Sequence, residues 1–129
     1  MAKSDARTAA LEAQMEQARA AARTGEFDGE EIEDLFRTGT EGERIYALAV
    51  LLEHPDLASS NLVLDGVRDS RSRFEQYYSL VLADLVEPRL APEQKRTLQK
   101  VLRDQTDSGL VPADGDRGRV ATRILRRLE

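Results

Sequence analysis

Two apolar stretches constrain this chain more than anything else in it. Residues 45–52 read IYALAVLL, and residues 74–86 read FEQYYSLVLADLV, apolar on nearly every side of a helix. A helix that is hydrophobic all round needs cover on several faces from other helices. A short apolar run also suits a strand, so its flanks must decide. Thr40-Glu-Gly-Glu43 precedes the first run and Ser72-Arg-Phe-Glu75 precedes the second. In each, a hydroxyl can accept from an amide of the first turn while the glutamate reaches back. Both stretches are therefore read as buried helices.

The remaining segments supply the cover. Residues 4–24 are alanine-rich and free of Gly and Pro, so helix propensity is high, and Gly25 is placed for a left-handed stop. The large apolar residues there are Leu11 and Met15, joined by Ala18 and Ala22 at helical spacing. So narrow a stripe predicts weak packing, close packing through alanines, or packing on another chain. A short helix follows over 28–37, with Asp28 as N-cap and Glu30, Glu31, Glu33 and Asp34 near its positive end. Ile32, Leu35 and Phe36 form its apolar side, and Gly39 ends it. The third helix, 40–53, stops before Pro55, and a fourth is expected over 57–68 with Leu57, Leu62, Val63, Leu64 and Val67 on one face. The fifth, 71–86, ends before Pro88, and Pro92 suits the first turn of the sixth, 91–105. Residues 107–116 form a loop broken by Gly109, Pro112 and Gly115, and the seventh helix spans 117–128. Seven helices without a strand make an all-α domain.

The 129 residues suit one domain, 1–129, able to bury about two-thirds of its extended-chain surface. Without cysteine there are no disulfides, no thiolate zinc site and no cysteine nucleophile. No stretch reaches the ~20 apolar residues that span a bilayer. The opening Met-Ala-Lys-Ser-Asp lacks the apolar core of a secretory signal, so the expected compartment is the cytoplasm.

Linear motifs for chemistry are missing. His54, the one histidine, precedes Pro55 at a helix end, where it suits the helix dipole better than catalysis. The acidic run 26–43 holds eight carboxylates against Arg37 but lacks calcium-loop spacing, and the eight glycines make no phosphate loop. Tyr46, Tyr77 and Tyr78 read as core. Neither an enzyme nor a cofactor is expected.

Charge is segregated along the chain. Residues 1–64 carry 6 basic and 13 acidic side chains, and residues 65–129 carry 13 basic and 11 acidic. Arg96, Lys100 and Arg103 recur at i, i+4 and i+7 on the sixth helix, while Arg119, Arg123, Arg126 and Arg127 crowd the last. If those helices are neighbours, their cations form one patch. An acidic protein surface is its first expected partner, and a phosphate backbone the second. A pI near 5.0 and the absence of aromatics between the arginines favour the protein.

An internal echo points to a family. Glu43-Arg-Ile-Tyr-Ala-Leu-Ala-Val50 aligns with Glu75-Gln-Tyr-Tyr-Ser-Leu-Val-Leu82, matching Glu43 to Glu75, Tyr46 to Tyr78 and Leu48 to Leu80. The last helix, from Arg119, repeats the pattern. Over about residues 40–128 the chain resembles HEAT-type helical repeats of the armadillo-like class. The resemblance implies a short α-solenoid of antiparallel pairs, 40–53 with 56–68 and 71–86 with 91–105, closed by the last helix as half a unit. Because repeats bury their apolar faces only against neighbours, the first two helices would supply a cap. An irregular α-helical bundle suits the same pattern. The resemblance further implies a non-catalytic protein-binding adaptor or regulatory subunit. Its binding surface would take in Ser60, Asn61, Asp65 and Arg68 from one unit and Arg96, Gln99, Lys100 and Arg103 from the next. Self-association through the alanine-rich first helix is a further expectation.

Overall fold

The computed structural model describes residues 3–129, with side chains from Ala6 onward. Residues 1 and 2, where the reading of the opening pentapeptide begins, lie outside the described residues. Seven α-helices are present among the described residues, and no strand is: α1 (Lys3–Ala22), α2 (Gly29–Thr38), α3 (Glu41–Glu53), α4 (Ser60–Arg68), α5 (Arg73–Val86), α6 (Pro92–Asp107) and α7 (Asp116–Leu128). The chain divides into two compact units, Met1–Ala58 and Ser59–Glu129. Residues 59–64 are uncharged, so the division leaves all of the acidic excess in the first unit and the basic excess in the second.

Local chemistry sets the helix ends. Asp28 accepts from the Glu30 amide at 2.9 Å, which starts α2. Thr40 accepts from the Glu43 amide at 3.2 Å while Glu43 accepts from the Thr40 amide at 2.9 Å, a complete capping box for α3. Ser72 accepts from the Glu75 amide at 3.1 Å and starts α5, whereas Glu75 itself is buried. The fourth helix starts at Ser60 rather than at 57. Pro55–Leu57 winds as a 3₁₀ turn, and the Ser59 hydroxyl caps the Leu62 amide at 3.1 Å. Gly25 takes φ +113°, but α1 has already ended at Ala22.

In the first unit α3 lies against α1 and α2. Its residues Ala47, Leu48, Ala49, Val50, Leu51 and Leu52 are consecutive and all buried, as a helix apolar on every side requires. Met15 and Ala22 are buried on α1, whose main neighbour is α3, so the alanine stripe packs within its own chain. Arg7 donates to Glu41 at 2.6 Å and Arg19 to Glu53 at 2.7 Å. The two bonds are spaced alike along both helices, so α1 and α3 run in the same direction. His54 Nε2 donates to the Ala22 carbonyl at 2.7 Å and joins the two C-terminal ends. Tyr46, expected in the core, is instead 40% exposed.

In the second unit α4 packs against α5 and α6 against α7, while α4 also meets α6 and α5 meets α7. Gln94 donates to Ser60 Oγ at 2.7 Å and Gln105 to the Val67 carbonyl at 2.8 Å, so α4 and α6 run in the same direction. Arg117 donates to Gln76 Oε1 at 2.5 Å and Arg127 to Glu87 Oε1 at 2.8 Å, which gives α5 and α7 a common direction too. The expected pairing of 71–86 with 91–105 is not the main packing here: each of those helices lies chiefly against α4 and α7. Gly118 brings the backbone of the 108–115 loop onto α7, because a Cβ there would overlap the Pro112 carbonyl and Ala113.

Candidate functional site

The basic side chains singled out from the sequence all lie in the second unit, and α6 and α7 are indeed neighbours. Their cations nevertheless divide into separate groups. Arg119, Arg123 and Arg126 stand one helical turn apart on α7 and line a hollow of about 360 Å³ with Ala113 and Thr122. Arg127 faces a second hollow of about 280 Å³ with Lys95, Arg96 and Gln99. Arg68 lies at the C-terminal end of α4, at the rim of a third. Lys100 is exposed on α6, and Arg103 reaches Glu129 at 3.6 Å.

Carboxylates occupy much of this positive charge. Asp84 takes Arg123 at 2.9 Å and Arg127 at 2.5 Å, and the buried Glu87 takes Arg127 at 2.8 Å and Lys95 at 3.5 Å. The hydrogen bonds it donates to Glu87 and Asp84 hold the Arg127 guanidinium above its ordinary pKa, against the opposing effect of burial. These bonds fasten α7 to α5. Arg119 pairs with Asp116, and Arg68 with Asp65 at 2.6 Å and Asp69 at 3.5 Å. Of the cations named from the sequence, Arg96, Lys100 and Arg126 have no carboxylate partner among the described residues.

The third hollow holds cations that the sequence reading passed over. Arg71, Arg73 and Arg117 line it together with Arg68 and Gln76, and its volume is about 440 Å³. It lies between two connections, the α4–α5 turn and the α6–α7 loop. The run Arg-Asp-Ser-Arg-Ser-Arg over 68–73 was its legible signal, since three arginines in six residues sit at one helix junction. Burial, and then the charge of Arg73, push the Arg117 guanidinium below its ordinary pKa. Guanidinium groups grip carboxylate and phosphate oxygens in bidentate fashion, so oxyanion binding is the chemistry these hollows can perform.

Among the described residues no group of three or more His, Asp or Glu is placed to hold a metal ion. Nor is any described helix long and apolar enough to cross a membrane. Comparison of the chain with family models, with curated proteins and with solved structures found no match.

Proposed function

We propose that this chain is a non-catalytic protein–protein interaction domain, an adaptor or regulatory subunit of the cytoplasm, which takes an acidic segment of another protein on the arginine face of α7. The carrying observation is the hollow where Arg119, Arg123 and Arg126 converge, with Arg126 left without a carboxylate. A HEAT-like helical stack is the architecture we assign to it. The common directions of α4 with α6 and of α5 with α7 support that reading, as does the packing of each α4–α5 and α6–α7 neighbour pair. On this phasing the helices of the sequence echo, α3, α5 and α7, are the second members of their pairs. The resemblance then implies a binding surface on α5 and α7 in place of α4 and α6. A shared fold does not imply a shared function, so the site has to carry the function.

The test is a titration by fluorescence anisotropy with a glutamate-rich peptide and, in parallel, a single-stranded oligonucleotide of matched charge. Saturable, salt-sensitive peptide binding that is lost in Arg119→Glu/Arg126→Glu is the expected result. Tighter binding of the oligonucleotide, with affinity falling steeply as salt rises, would transfer the arginine face to nucleic acid.

A further inference from the structure

The hollow at the α4–α5 turn is set apart from the α7 face by what lies within it. Arg73 is the first residue of α5 and is exposed, and among the described residues it has no ion-pair partner. Arg117 reaches the same hollow from the first turn of α7, with no carboxylate on it either. The buried Gln76 accepts from Arg117 at 2.5 Å and so fixes the direction of that guanidinium. Two like charges thus face one cavity. Of the acidic groups near the turn, Asp65 and Asp69 are engaged by Arg68 at the rim, and Glu75 is buried in the first turn of α5 and does not line the hollow. The positive end of the 14-residue helix α5 adds to the field. The Ser72 hydroxyl accepts from the Glu75 amide, which leaves its own hydrogen to donate.

We propose that this hollow binds a phosphate monoester, held between Arg73 and Arg117 at the N-terminus of α5. A dianion answers two convergent guanidiniums better than a carboxylate does. The volume of about 440 Å³ exceeds what the phosphate alone fills and falls within the range of small-molecule sites. The carrier group has Leu110, 61% exposed, and Pro112 to lie against. No aromatic side chain lines the hollow, so a nucleobase finds no stacking platform, and a phosphorylated side chain or a small phosphorylated metabolite suits it better.

The test uses the full chain and records amide shifts by NMR at constant ionic strength, with inorganic phosphate, phosphoserine and adenosine monophosphate as probes. Saturable shifts confined to residues 70–76 and 109–118 are expected, with phosphoserine binding more tightly than inorganic phosphate and than the nucleotide. Arg73→Gln removes an exposed charge that supports no other bond, so it should fold as the parent does and bind phosphoserine about tenfold more weakly. Arg126→Gln, on the hollow of the α7 face, should bind unchanged. If none of the three probes gives saturable shifts at those residues by about 10 mM, or if Arg73→Gln binds as the parent does, the proposal is overturned. Preference for the nucleotide would overturn the carrier assignment and leave the phosphate contact standing.

Discussion

The two units solve the same packing problem with different materials. In the first, every buried side chain among the described residues is apolar, from Met15 and Ala22 to the whole run 47–52. Three of its ion pairs, Arg7–Glu41, Arg19–Glu53 and Arg23–Glu53, sit at the edges of the α1–α3 contact. In the second, Glu75, Gln76, Ser79, Glu87 and Gln105 are buried along with the leucines. There Gln105 holds the Val67 carbonyl, Gln76 holds Arg117, and Glu87 holds Arg127. Apolar burial drives association without dictating direction, whereas a buried polar bond has one geometry. The first unit therefore relies on shape and caps. The second adds bonds that set register, and it carries the three arginine-lined hollows.

That contrast can be tested by substitution, beginning with what the units share. Leu48→Ala in α3 and Leu80→Ala in α5 each empty a fully buried site, and each is expected to cost about 2–5 kcal/mol in urea unfolding. Hydrogen exchange should show the larger loss of protection in the unit that carries the substitution. The units separate at the next step. Arg127→Met leaves the buried Glu87 with Lys95 as its remaining ion pair and frees Asp84 of one of its two arginines, so a loss of about 1–3 kcal/mol is expected. Arg19→Met in the first unit removes a bond at a half-exposed edge, for a loss of about 0.5–1 kcal/mol. Equal losses from these two substitutions would erase the distinction drawn between the units.

The Arg19 bond also has a pH signature. Its hydrogen bond, ahead of the charges of Arg19 and Arg23, holds the Glu53 carboxyl below its ordinary pKa despite the opposing effect of burial. A carboxyl lowered on folding stabilises the native state above its unfolded pKa of about 4.3, and that contribution fades as pH falls through the folded value. Stability measured from about pH 6 downward should therefore fall less steeply in Arg19→Met than in the parent.

Much of this was legible in the chain. Thr40, Ser72 and Asp28 cap the helices they precede, because a cap joins residues two or three apart and needs no tertiary partner. The stretch 45–52 is buried except for Tyr46, since a run that long and apolar has no face to give to water. The fourth helix starts later than its apolar pattern predicts, because Leu57 extends that pattern across a proline turn that ends before the Ser59 cap. The arginine surface was legible only by residue type. Arg123 and Arg127 have helical spacing and basic neighbours, yet they bond Asp84, 39 and 43 residues away. Arg73 and Arg117, which read as a capping-turn residue and an ordinary helix start, face one cavity because α5 and α7 lie side by side.

Sequence by itself determined the all-α class, the N-caps of α2, α3 and α5, and the apolar helix of each unit, because each follows from residues within one or two turns of one another. Only the tertiary structure decided which helices are neighbours, which arginines a carboxylate neutralises and which keep their charge. Apart from local pairs such as Arg68–Asp65 and Arg119–Asp116, those outcomes depend on residues some forty positions apart, and the energy of such a pair exists only once packing has brought its members within bonding distance.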